Sequence, residues 1–102
     1  MWEFDRKSKF KKQYKLLGSV RQERVKKALL QLADSERPES LGVYKPSMKV
    51  YAYELGHDDR IIFKVNYDKH TIELVRVGDH KMTYGKDWAF GSPFMMSNSS
   101  RS

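Results

Sequence analysis

Eight consecutive residues, Val77-Gly78-Asp79-His80-Lys81-Met82-Thr83-Tyr84, set an imidazole, an ammonium and a phenol at the end of a strand-like run. Histidine exchanges a proton near neutral pH, tyrosine donates one or stacks on a base, and lysine holds a phosphate. A second group lies upstream, where Glu54 and Arg60 flank Gly56-His57-Asp58-Asp59. A hairpin there would bring a carboxylate and a guanidinium together across two strands. A polar loop and a cross-strand ion pair are the plain structural alternatives for each group taken alone. On one face, the two groups would supply a base, an acid and an anion stabiliser. The elements that position them decide between these readings.

From Arg6 the apolar spacing is helical: Phe10, Tyr14 and Leu17 stand at i, i+4 and i+7 with lysines on the other faces. Gly18 is placed to stop this helix, and Ser19 followed by Gln22 matches a capping box for the next. The second helix is expected from Val20 to Ala33, with Val25, Ala28, Leu29, Leu32 and Ala33 as its buried stripe. Asp34 to Pro38 breaks it, and residues 39–47 read as a loop. Period-two alternation begins at Met48, with Tyr51, Tyr53 and Leu55 opposed to Val50, Ala52 and Glu54. After the hairpin, Ile61, Phe63 and Val65 alternate with Arg60, Ile62 and Lys64, and residues 71–77 form a further strand. Met1 to Asp5 is a short edge strand. The fold class is α+β, in the order β-α-α-β-β-β, with two amino-terminal helices on a small antiparallel sheet. If Tyr51, Tyr53, Ile61, Phe63 and Val65 pack under the helices, Glu54, Arg60, Ile62 and Lys64 share the open face, where His80, Lys81 and Tyr84 arrive.

A chain of 102 residues suits one domain, expected over residues 1–90, with the Ser/Asn/Pro-containing stretch 91–102 as a flexible tail. No cysteine is present, which removes disulfides and thiolate metal sites and suits the cytoplasm. No apolar run reaches the roughly 18 residues of a membrane span. His57 beside Asp58 and Asp59, and His70 in the next turn, read as turn chemistry and not as metal ligands. The net charge of +7 lies wholly within residues 1–27, where ten Lys and Arg face three acids. Such asymmetry is the footprint of a phosphate-rich or acidic partner. The cations expected to follow an RNA backbone are Lys9, Lys12, Arg24 and Lys27 on the helices, with Lys45, Lys49, Lys64 and Arg76 around the sheet.

Two amino-terminal helices, then Tyr51-Ala52-Tyr53-Glu54-Leu55, Arg60-Ile61-Ile62-Phe63-Lys64-Val65 and the segment from Val77 to Tyr84, together resemble the RelE/YoeB superfamily of toxins over about residues 2–86. The resemblance implies a RelE-like microbial RNase-type fold and a ribosome-dependent messenger RNA endonuclease silenced by a cognate antitoxin. It matches Arg60 to a strand arginine at the scissile phosphate and Tyr84 to a carboxy-terminal tyrosine. His80 and Lys81 occupy a segment where members carry arginine or histidine. The chain departs from RelE itself where lysines give way to Ala52 and Glu54. A carboxylate with a histidine is nearer the YoeB-type acid/base pair.

The chemistry implied is cleavage without metal or small-molecule cofactor. A base takes the ribose 2′-OH proton, the oxygen attacks phosphorus in line, and an acid protonates the departing 5′-oxygen. Glu54 is assigned as base, His80 as acid, Arg60 and Lys81 as charge stabilisers and Tyr84 as the orienting or stacking group, with Glu54 and His80 able to exchange roles. The expected partners are the antitoxin, the ribosome and message. A ParE-like gyrase inhibitor and a non-catalytic RNA-binding module are the competing readings.

Overall fold

The computed structural model describes residues 1–84 apart from His57, so residues 85–90 of the expected domain and the whole expected tail, 91–102, lie outside the described residues. In order, the elements are β1 (Glu3–Arg6), α1 (Ser8–Leu16), α2 (Ser19–Asp34), a 3-10 turn (Pro38–Leu41), β2 (Val43–Lys45), β3 (Val50–Gly56), β4 (Asp59–Asn66), β5 (Thr71–Gly78) and the single-turn α3 (His80–Thr83). The strands form one sheet in the order β1-β5-β4-β3-β2. The sheet is mixed and not purely antiparallel, because β1 runs parallel to β5, with Phe4 opposite Ile72.

The two helices pack on one face of this sheet through the stripes their spacing predicts. Phe10 and Leu17 from α1 and its end, and Val25, Ala28, Leu29 and Leu32 from α2, meet Ile61, Phe63, Ile72, Leu74 and Val77 in the main core. Each large aliphatic or aromatic side chain buried this way contributes about 1.5–3 kcal/mol of transfer free energy. Trp2 ties the start of the chain to the end of α2: its backbone N–H donates to the Ala33 carbonyl at 3.2 Å and its indole N–H to the Ser35 carbonyl at 2.8 Å. Its ring also stacks on His70 at 4.0 Å, so His70 is packed as well as turning the chain.

Three local expectations need correction. The capping box at Ser19 and Gln22 does not form. Gly18 itself, at φ +80°, is the residue before the first turn of α2, and the Gln22 side chain donates back to the Tyr14 carbonyl at 2.9 Å. Residues 39–47 are not wholly loop, since Val43, Tyr44 and Lys45 pair with Ala52, Tyr51 and Val50. Three residues are too few for alternation to declare a strand. Finally, Asp59 is no ordinary turn residue. It is buried beneath α2 and clamped by Arg21 and Arg24.

Strand register divides the sheet into two faces. Tyr51, Tyr53, Ile61, Phe63, Leu74 and Val77 lie toward the helices, whereas Val50, Ala52 and Ile62 form a second, smaller cluster on the other side. This second face carries the candidate site. No helix among the described residues is long and apolar enough to cross a membrane.

Candidate active site

The β3–β4 hairpin opposes Glu54 to Arg60, as its alternation requires. Arg60 Nη2 lies 3.4 Å from Glu54 Oε1, with the arginine side chain 11 % exposed and the glutamate 53 % exposed. The guanidinium is therefore set into the surface while the carboxylate remains open to a ligand. Its Nη2 also reaches the Asp58 carbonyl at 3.5 Å.

Beyond Gly78 the chain turns into α3 and brings the second group of residues against the first. Asp79 caps this turn, its carboxylate accepting the Met82 N–H at 2.9 Å, and the Thr83 hydroxyl donates to the Asp79 carbonyl at 2.9 Å. Gly78 has φ +135°, and a Cβ there would fall 2.6 Å from the Met82 sulfur, so glycine allows the close turn. The short helix straddles the sheet end. Met82 packs against the main core, and Tyr84 packs against Val50, Ala52 and Ile62 on the open face.

Tyr84 consequently sits between the other candidates. The Arg60 guanidinium carbon is 5.4 Å from its ring centroid, and the His80 ring meets it edge-on at 4.7 Å. Glu54, Arg60, Tyr84 and His80 form one contiguous row. Among the described residues, the buried Tyr84 hydroxyl and Arg60 Nε have no hydrogen-bond partner. Burial pushes the Tyr84 pKa above its ordinary value, the nearby Arg60 pulls against that shift, and Glu54 adds to it. The phenol therefore remains a proton-bearing donor at neutral pH. Lys81 is exposed on α3 beside this row.

The proposed RNA cations separate into groups. Lys45 pairs with Val50, Lys64 with Glu73 and Arg76 with Ile62, which places all three on the face that bears the candidate site. Lys49 occupies the adjoining β2–β3 turn at φ +58°. Lys9, Lys12 and Lys27 belong to the helix layer on the other side of the sheet. Arg24 donates to buried Asp59 at 3.2 Å, so its charge serves the fold. A β-bulge fixes the place of Arg76. The register skips Val75, so Val75 and Arg76 both face the site side and Val77 returns to the core. Strict alternation could not have foretold this.

Gln13 also supports this site, and sequence pattern alone does not single it out. It is buried at 5 % exposure between the apolar positions of α1, and its side chain bonds both ends of the turn that carries His80. The signal was an uncharged amide at i+3 from Phe10 and four residues before Leu17, on an otherwise apolar stripe.

No protein-family model matches the chain, and no curated protein matches it by sequence. Solved structures do. A chain of the intact E. coli RelBE toxin–antitoxin complex superimposes with a TM-score of 0.67 at 24 % identity, covering 78 % of this chain and 96 % of that one. An arginine-to-alanine double mutant of E. coli toxin RelE in the free state gives 0.68 at 22 % identity over 91 % and 98 % of the respective chains. A chain of the archaeal RelE–RelB complex from Pyrococcus horikoshii gives 0.60 at 17 % identity over 76 % and 93 %. The chain has the RelE fold.

Proposed function

We propose that this protein is the toxin of a type II toxin–antitoxin pair, a ribosome-dependent endonuclease that cuts messenger RNA and arrests translation. The observation that carries the reading is the row Glu54, Arg60, Tyr84 and His80 on the open face of a RelE-fold sheet. A phosphate bound at Arg60 would have a carboxylate on one side and the Tyr84–His80 pair on the other. Glu54 takes the 2′-OH proton, the 2′-oxygen attacks phosphorus, and His80 protonates the leaving 5′-oxygen. The products are a 2′,3′-cyclic phosphate and a 5′-hydroxyl. Glu54 and His80 can also serve in exchanged roles. Arg60 and Lys81 balance the charge that builds on the phosphorane, and Tyr84 holds Arg60 and His80 in relation to one another. Lys45, Lys49, Lys64 and Arg76 track the flanking phosphates, and Lys9, Lys12 and Lys27 meet the ribosome or the antitoxin.

The E. coli and archaeal RelE structures include complexes with the antitoxin RelB, which supports an antitoxin partner here. The site of action is then the cytoplasm, where ribosomes carry message. Replacing the ribose at a mapped cut with 2′-deoxyribose should abolish cleavage there, and intact nucleotides should yield cyclic-phosphate ends. Cleavage that persists on the deoxy substrate would overturn the mechanism. Arrest of DNA supercoiling without RNA cleavage would favour a gyrase inhibitor, and RNA binding without cleavage a binding module.

A further inference from the structure

Helix α3 consists of one turn, His80–Thr83. A single turn has no stability of its own, because nucleation costs more than its few hydrogen bonds return. The positions of His80, Lys81 and Tyr84 therefore depend on what fastens this turn to the domain. Gln13, from the middle of α1, is so placed. Its Nε2 donates to the Met82 carbonyl at 2.6 Å, and its Oε1 accepts the Val77 N–H at 2.9 Å. Val77 is the last core side chain of β5, and Met82 is the third residue of α3. The one carboxamide thus closes the ends of the segment that contains Gly78, Asp79, His80 and Lys81.

We infer that Gln13 is a positioning residue for the candidate site, an amide clamp from the helix layer that fixes α3, and with it His80 and Tyr84, relative to Arg60. That the clamped residues act on RNA rests on the function proposed above. The clamp itself does not.

The chemistry of the two bonds gives a selective probe. A carboxylic acid has nearly the shape of a carboxamide. Protonated, a Gln13→Glu side chain can donate to the Met82 carbonyl and accept from the Val77 N–H. Ionised, it turns lone pairs toward that carbonyl and loses the donor. Burial beside a carbonyl oxygen raises the pKa of such a group above the usual glutamate value of about 4.3. Gln13→Glu should therefore keep α3 in place at acidic pH and release it at alkaline pH. Gln13→Leu should release it at both.

The readout is amide hydrogen exchange in the full chain, expressed as protection factors at pH 5 and pH 8. The reporters are Thr83 N–H, bonded to the Asp79 carbonyl at 3.0 Å, and Tyr84 N–H, bonded to the His80 carbonyl at 2.8 Å. Expected is a loss of about tenfold at both reporters in Gln13→Leu, matching the loss of the one clamp bond that reaches α3, that to the Met82 carbonyl. In Gln13→Glu the same loss should appear at pH 8 and recover at pH 5, with Ile61 and Phe63 protection unchanged throughout. Unchanged protection at Thr83 and Tyr84, or an equal loss across β4, would overturn the clamp. Because exchange needs no substrate, a chain that cuts no RNA would refute the nuclease and leave this test intact. If the chain cuts, a falling kcat with an unchanged KM for ribosome-bound message should accompany the loss of protection. A change in KM alone would place Gln13 outside the positioning of the reacting groups.

Discussion

Replacing Asp59 should be among the most destabilising single changes in this domain. The carboxylate is 1 % exposed and accepts from Arg21 Nε at 3.0 Å, Arg21 Nη2 at 2.5 Å and Arg24 Nη1 at 3.2 Å. The two arginine side chains keep 35 % and 30 % of their surface in solvent. Breaking a buried ion pair costs about 3–5 kcal/mol, chiefly through the charge left unpaired. Here the guanidiniums left behind can rehydrate, which sets Asp59→Ala near the lower end, at about 3 kcal/mol. For a domain of this size that is a fall in Tm on the order of 12–24 °C. Asp59 also holds the Arg21 pKa above its ordinary value, chiefly through their hydrogen bonds. Removing Arg21 forfeits a bidentate pair, whereas removing Arg24 forfeits one longer bond. Arg24→Ala should therefore cost only about 1 kcal/mol, the net worth of one hydrogen bond. Thermal and urea unfolding of Asp59→Ala, Arg21→Ala and Arg24→Ala measure the series directly. A cost below about 1 kcal/mol for Asp59→Ala would refute the clamp as a source of stability, as would an Arg24→Ala loss larger than that of Arg21→Ala.

Gly78→Ala should destabilise by about 1–3 kcal/mol from the positive φ alone, and cleavage should fall further than stability because the added Cβ displaces Met82 and α3; equal losses in unfolding and rate assays would contradict this. Tyr84→Phe should alter stability by less than about 1 kcal/mol, since its hydroxyl makes no hydrogen bond to a described residue, and yet lower the cleavage rate. The raised Tyr84 pKa favours the protonated phenol in the fold, so its stabilising contribution is complete below the unfolded tyrosine pKa of about 10 and is lost as pH rises through the higher folded value. Absorbance titration against Tyr84→Phe should accordingly show one phenol ionising later than free tyrosine, and an earlier ionisation would mean that Arg60 outweighs burial.

Much of this arrangement was legible because it rests on periodicity. The stripe from Val25 to Ala33 and the alternation of Tyr51, Tyr53, Ile61 and Phe63 report burial directly, and strand parity then puts Glu54 beside Arg60. The association of His80 with Tyr84 was readable in outline, since both follow the end of the strand that pairs with β4. What escaped was set by long-range polar contacts or by single-residue irregularities. Asp59 looks like a turn acid until α2 lies over it. Gln13 looks like a surface amide until β5 and α3 reach it from 64 and 69 residues away. The bulge at Val75 changes which face Arg76 occupies, and no local propensity marks it. Parallel pairing of β1 with β5 depends on where the chain end is delivered by Trp2, which four residues of edge strand do not encode.

The proposed nuclease is tested most directly by primer-extension mapping of message in a purified translation reaction containing the protein, its Arg60→Ala form or its His80→Ala form. Discrete, translation-dependent cuts should appear with the parent chain and fall by about 10²-fold or more in either variant, as expected for the loss of a charge stabiliser or an acid/base group. Full-length message under continued translation, or cuts undiminished in both variants, would contradict the assignment of this face as an RNA-cleaving site.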